Sequence, residues 1–205
     1  MNQMNNTSVP PTAGKKPARN PYTLWFVVLS FVTPVALAYF VFYFVDVSSF
    51  NNHGELLKPV VHASALNLKD KDGNAVDEKD LAYKWRFISF VNSSCDENCK
   101  KRLIETRQVH KTFGKNQHRI LQVVIELSPA DDALVQFIGS ELPDAIILSA
   151  DAADVSAALA NAKLADNEIY IQDPMGYIMM RFSQQQPIQE LQFDVKKLLK
   201  ASQIG

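Results

Sequence analysis

From Pro21 to Val45 the chain carries no charge, and runs such as Leu24-Trp25-Phe26-Val27-Val28-Leu29 and Tyr39-Phe40-Val41-Phe42-Tyr43-Phe44-Val45 leave no polar face. About 20 apolar residues cross a bilayer as a helix, so residues 21–45 read as one transmembrane helix. Pro34 near its middle predicts a kink, which membrane helices tolerate. Tyr22, Trp25 and Tyr43 lie near its ends, where aromatic rings prefer the interface. Beyond it, short apolar runs alternate with amphipathic stretches. Ala63–Leu68 reads as a short strand, and Lys71-Asp72-Gly73-Asn74 as a turn with glycine where positive φ is cheap. Trp85–Val91 reads as a buried strand, followed by a helix from about Asp96 to Phe113 and a second central strand at Arg119–Leu127. Pro129-Ala130-Asp131-Asp132 opens a helix to about Leu142, Ala145–Leu148 is a short strand, and Asp151–Ala162 is an Ala-rich helix. Glu168–Gln172 and Tyr177–Phe182 predict a hairpin around Asp173-Pro174-Met175-Gly176. Pro187 starts a final helix to Leu199, with Leu191, Val195, Leu198 and Leu199 on one face. Strands and helices in this order predict an α/β sandwich with a mixed sheet.

Charge gives the pattern a direction. The tail before the apolar segment holds Lys15, Lys16 and Arg19 with no acidic residue. Positive charge stays on the cytoplasmic side, so the remainder faces the opposite compartment, which in a bacterium is the periplasm. Ala36-Leu37-Ala38 resembles a signal-peptide cleavage site, but cutting there would leave an exposed apolar N-terminus, which favours an uncleaved anchor. The expected organisation is a disordered cytoplasmic tail at 1–20, a transmembrane helix at 21–45, a periplasmic tether at 46–62 and one domain at 63–205. Of 21 basic residues three lie in the tail, leaving 18 against 22 acidic ones and a net charge of −4 outside it. Nothing in that balance points to nucleic acid. There is no Gly-rich phosphate loop, no HExxH, and no sign of a nucleotide or flavin site.

Cys95 and Cys99 are the only cysteines, and they stand in Ser94-Cys95-Asp96-Glu97-Asn98-Cys99-Lys100 directly behind the Trp85–Val91 run. A thiol pair between a strand and a helix is where thioredoxin-like folds keep their chemistry. In an oxidising compartment the two can form only one disulfide. Residues four apart share a helix face, so the sulfurs can point at one ion or at each other. Soft thiolates favour Cu(I). The helix N-terminus supports thiolate, whereas Asp96 and Glu97 oppose it. A static disulfide, dithiol exchange and copper handling all fit the pair. A third copper ligand would come from Met175, Met179, Met180, a histidine or a partner. His110 is about 16 Å from Cys99 along a helix and too far; His53, His62 and His118 read as solvated. Met179 and Met180, consecutive on a strand, should face opposite sides.

The order of Asp72-Gly73, Trp85–Val91 leading into C-x-x-x-C, and Ile169-Tyr170-Ile171-Gln172-Asp173-Pro174-Met175-Gly176 resembles the Sco/SenC group. Those are membrane-anchored thioredoxin-fold proteins that help assemble the copper centre of cytochrome c oxidase. The chain is most similar to small proteobacterial members encoded with cytochrome oxidase genes. That similarity rests on Asn52-His53-Gly54-Glu55-Leu56-Leu57, Cys95-Asp96-Glu97-Asn98-Cys99, Arg107-Gln108-Val109, Asp173–Arg181 and the Asp194–Gly205 tail. The resemblance implies a copper site on Cys95 and Cys99 that a histidine just before the hairpin completes. Here that stretch is Lys163-Leu164-Ala165-Asp166-Asn167-Glu168, without histidine, and Asp96 stands where the family usually has proline.

The leading expectation is therefore a membrane-anchored assembly factor in the bacterial inner membrane, with its C-terminal domain in the periplasm. It would deliver copper to a cytochrome c oxidase subunit, or reduce cysteines there, through Cys95 and Cys99, with that subunit or another assembly factor as partner. One alternative is a general periplasmic thiol–disulfide oxidoreductase, weakened by the absence of C-x-x-C and of a proline before Glu168–Gln172. Another is a non-catalytic interaction module on the same fold.

Overall fold

The computed structural model describes residues 21–44, 52–76, 81, 83–93, 95–159, 167–202 and 204. The tail at 1–20, the first part of the tether and the 160–166 stretch lie outside the described residues. The chain divides into two units, residues 1–50 and residues 51–205.

In the first unit, α1 (Pro21–Phe44) is a continuous helix of 24 residues around Pro34. Its Leu24–Val41 stretch is long and apolar enough to cross a membrane, and Tyr22 and Trp25 are exposed near its start.

The second unit is built on one six-stranded mixed sheet. Its strands are β1 (Glu55–His62), β2 (Trp85–Val91), β3 (Ile120–Glu126), β4 (Ile146–Ser149), β5 (Ile169–Gln172) and β6 (Tyr177–Phe182). Their order across the sheet is β1-β6-β5-β2-β3-β4. β2, β3 and β4 run parallel, and β5 runs antiparallel to β2. Parallel neighbours need crossover helices, which bury both faces and explain the near-continuous apolar runs at 85–91 and 120–125. One face is covered by α2 (Glu97–Thr112), α3 (Asp132–Glu141) and α5 (Ile188–Ala201). There Phe87, Val109, Ile171, Leu191 and Val195 form one cluster, and Val91, Leu103, Val124, Leu134 and Ile138 another. The opposite face packs under α4 (Ala152–Ala158), with Ile88, Val123, Ile125, Val155 and Tyr170 at its centre. Helix starts follow the sequence: Asp131 and Asp151 cap α3 and α4 with their carboxylates, as N-cap aspartates do. Gly73 takes φ 83° in the expected turn.

Two expected elements change. Ala63–Leu68 is not a strand: Ala63–Leu66 is a 3-10 helix whose N-cap is His62. The strand lies earlier, inside the expected tether, because Glu55–His62 pairs with β6 as an edge strand. Pro59 hides it in the sequence, since proline lacks the N–H a ladder needs. On an edge, at a register irregularity between Leu56 and Val61, that donor is dispensable. The compact unit therefore starts near residue 51 rather than 63.

His53 and Gly54, just before β1, are fixed to α5. The backbone N–H groups of both donate to Asp194 Oδ2, at 2.7 and 2.9 Å, and His53 Nδ1 lies 3.1 Å from Oδ1. Asp194 is 1% exposed, so this buried carboxylate is held by three hydrogen bonds. Gly54 is pressed onto β6, where an added Cβ would lie 2.5 Å from Met180 Sδ.

Candidate functional site

β2 ends at Val91, and the chain then turns outward over the end of the sheet. Leu127 N–H extends the parallel ladder to Val91 O, while Ser93 N–H donates to Ser128 Oγ at 2.8 Å. These bonds tie the β2–α2 loop to the loop after β3. Asp96 then adopts extended backbone and caps α2, its Oδ1 accepting from Cys99 N–H at 2.8 Å. Cys95 precedes the cap and Cys99 is the third residue of the helix. Their Cα atoms are 5.3 Å apart, and the sulfurs form a disulfide. The capped first turn creates this proximity, because it folds residue 99 back over residue 95.

Both cysteines are 9% exposed and pack with Val91, Leu103 and Leu134. Cys99 borders a cleft of about 380 Å³ that also meets Phe90, Asp96, Asn98, Asn167 and Gln184. The lining is rich in carboxamides, which both donate and accept hydrogen bonds. Asn98, Asn167 and Gln184 are site residues that sequence reasoning misses; the Gln184-Gln185-Gln186 run ahead of Pro187 is the one signal that could find any of them. One turn beyond Cys99, Arg102 is buried and donates to Ser183 O at 2.9 Å and Gln186 O at 3.2 Å. It clamps the β6–α5 loop, which carries Gln184, against α2. Burial pushes its guanidinium pKa down, and Glu105 at 3.5 Å acts in the opposite sense.

The other sequence candidates fall elsewhere. Arg86 pairs with Gln172 and Ser89 with Ile169, so the hairpin turn holding Met175 lies at the start of β2 while the cysteines follow its end. The seven residues of β2 separate these ends, roughly 20 Å. Met180 is buried in the core beneath α5. Ile171 pairs with Met180 but Gln172 with Ile178, so Met179 is the extra residue of a bulge. It packs against the same cluster as Met180, and the expected alternation is lost because a bulge shifts side chains across the sheet. His62 Nδ1 lies 2.8 Å from Ser64 Oγ, and His110 Nε2 is 2.9 Å from Ile120 O and 3.1 Å from Gln117 O. His53 is engaged by Asp194 rather than simply solvated; His118 is exposed. Among the described residues no three His, Cys, Asp or Glu side chains form a metal-binding group.

Of the stretch before β5, Lys163–Asp166 lie outside the described residues, and Glu168 is committed to another task. Its Oε2 accepts from Tyr170 Oη at 2.6 Å, and Oε1 lies 3.6 Å from Arg181. Arg181 also holds Glu55 of β1 through two bonds of 2.8 and 2.7 Å. Burial and the Glu168 partner raise the Tyr170 phenol well above its ordinary pKa. This network joins β1, β5 and β6, and it leaves Glu168 unsuited to act as a third ligand.

A mixed sheet with a disulfide between its central strand and the next helix defines a thioredoxin-like protein. The model for the transmembrane-like, thioredoxin-like, C-terminal domain family matches residues 85–202, and the chain belongs to that family. Solved Sco proteins share the fold. Copper-bound yeast Sco1 superposes with a TM-score of 0.54 at 19% identity, covering 70% of this chain and 92% of its own. Copper-bound ScoI of Arabidopsis thaliana gives 0.53 at 16%, covering 66% and 96%. BsSco, a Sco-family cytochrome c oxidase assembly protein with an identified disulfide switch, gives 0.53 at 12%, covering 70% and 96%. No curated protein matches the chain by sequence. Identities this low establish a Sco-like thioredoxin fold.

Proposed function

We propose that this protein is a membrane-anchored assembly factor for cytochrome c oxidase that acts through Cys95 and Cys99 on the periplasmic side of the inner membrane. The carrying observation is the disulfide at the β2–α2 junction with Cys99 opening onto a polar cleft. The apolar α1 supports the anchor, and tethering raises the effective concentration of the thiols beside a membrane-bound client.

In the reduced state a thiolate of the pair attacks a client disulfide, and one client cysteine leaves as thiolate. The second thiol of the pair then attacks the mixed disulfide. The client gains two electrons and two protons, and Cys95–Cys99 re-forms. A dithiol reductant must then return the pair to its reduced form. Cu(I) is the second cargo: the same reduced sulfurs are soft donors suited to it. Two thiolates from this chain would hold the ion, and a client cysteine or histidine would complete its coordination during transfer. Among the described residues no three His, Cys, Asp or Glu side chains form a metal-binding group around the pair, which favours thiol reduction as the principal activity over stable copper storage.

The test uses the full chain in nanodiscs, equilibrated with glutathione buffers and, separately, titrated with Cu(I) against a competing chelator. Reversible reduction and thiol-dependent Cu(I) uptake, both lost in the Cys95→Ser/Cys99→Ser variant, are expected. A potential below about −300 mV, in the range of inert structural disulfides, together with no thiol-dependent Cu(I) uptake, would contradict the proposal.

A further inference from the structure

The domain is acidic overall, yet one end of it is not. From Thr106 to Ile125 the sequence has no acidic residue, and after Glu190 the only one is Asp194, which is buried. Those two segments supply the C-terminal half of α2, the turn after it, and most of α5. Lys111, Lys115, Lys196, Lys197 and Lys200 are all exposed there. Lys111, Lys115, Lys196 and Lys200 have no ion-pair partner among the described residues. Gln192 Nε2 donates to Thr112 Oγ1 at 2.6 Å, which sets the end of α2 against the helix bearing the other lysines. Phe193, 48% exposed, stands in the same surface. Lys197 Nζ lies 4.3 Å from its ring centroid, and the His53 ring meets it edge-on at 5.1 Å.

We infer that this face of α5 and the end of α2 form a docking surface for anionic lipid headgroups, with Phe193 inserted at the interface. The inference rests on the anchored reading above. Clustered basic residues attract anionic headgroups, and an exposed aromatic ring among them suits the membrane interface. The covalent chain supplies the geometry. Nine residue steps separate Phe44, the end of α1, from His53, which is bonded to Asp194 of α5. Nine extended residues reach at most about 30 Å, so the tether permits α5 to reach a bilayer that α1 spans. Charge attraction to a bilayer acts within a screening length of about 10 Å, a distance that this leash permits.

The test uses the full chain carrying Phe193→Trp, reconstituted into vesicles with brominated acyl chains, with the unsubstituted chain subtracting Trp25 and Trp85. With phosphatidylglycerol present, emission from the introduced indole should fall by roughly half, as for a ring buried about 5–10 Å deep. Quenching should be absent in purely zwitterionic vesicles and lost at about 1 M salt, where screening is complete within about 3 Å. Lys196→Glu/Lys197→Glu/Lys200→Glu should abolish it, and the corresponding three Lys→Gln changes should weaken it. Circular dichroism confirms that each variant stays folded. Quenching that survives the Glu variant, or its absence in anionic vesicles, overturns the inference. So does shielding of the introduced indole only on adding purified oxidase, which would assign the surface to a protein. Flotation at high salt separates the two levels: a chain that leaves the vesicles refutes the anchor itself, whereas one that floats but shows no quenching in anionic vesicles at low salt refutes docking alone.

Discussion

Cys99 donates its backbone N–H to the carboxylate of Asp96 at 2.8 Å, so the residue that shapes the disulfide turn also places a negative charge at its thiols. The helix N-terminus favours thiolate through the same amide that Asp96 occupies. Capping and thiol activation are thus in opposition at one bond. Asparagine caps as well as aspartate, so Asp96→Asn separates them. It should leave the fold intact and lower the thiol pKa by removing a negative charge beside the pair. Because thiolate belongs to the reduced form, the pair should also become easier to reduce. Thiolate absorbance titration and glutathione equilibration read the two quantities.

The two cysteines should differ as attacking groups. Cys99 borders the cleft, whereas Cys95 is not among the residues that line it. Cys95→Ser should therefore accumulate a mixed disulfide between Cys99 and a client, and Cys99→Ser should trap several-fold less. Non-reducing electrophoresis and mass spectrometry of the adducts provide the comparison.

Asp194 holds the start of the domain. Asp194→Ala would strand the His53 and Gly54 amides, and should cost about 2–4 kcal/mol as the loss of a hydrogen-bonded buried carboxylate. Thermal unfolding measures this cost, and hydrogen exchange at residues 53 and 54 should accelerate most.

Glu126, the last residue of β3, has its carboxyl pKa raised by burial. A raised folded-state value means that the native state holds this proton more tightly than the unfolded chain. The group favours folding at acid pH and loses that contribution as pH rises through its folded value. Glu126→Gln should therefore stabilise the domain at neutral pH, and the difference should vanish below about pH 4, near the unfolded value. Denaturant titrations at the two pH values decide it.

Much of this was legible in the sequence because the signals were local. The apolar runs at 85–91 and 120–125 read as buried strands, and Asp96, Asp131 and Asp151 stood at the expected helix starts. What escaped depended on distant partners. Glu55–His62 becomes a strand only beside Tyr177–Arg181, and nothing near His53 indicates that Asp194, 141 residues away, will bind it. The bulge at Met179 reverses a face assignment that alternation alone makes. The same holds at the site. The cysteines were visible as a pair, whereas Asn167 and Gln184 reach the cleft from two other loops and carry no motif.

The central claim is that the Cys95–Cys99 pair serves oxidase assembly at the membrane. Its most direct test is the copper content and cytochrome c oxidase activity of membranes from cells lacking this protein and supplied with either the intact chain or the Cys95→Ser/Cys99→Ser variant. Restoration of both by the intact chain, and of neither by the variant at equal abundance in the membrane, is predicted. Full restoration by the variant would contradict the account.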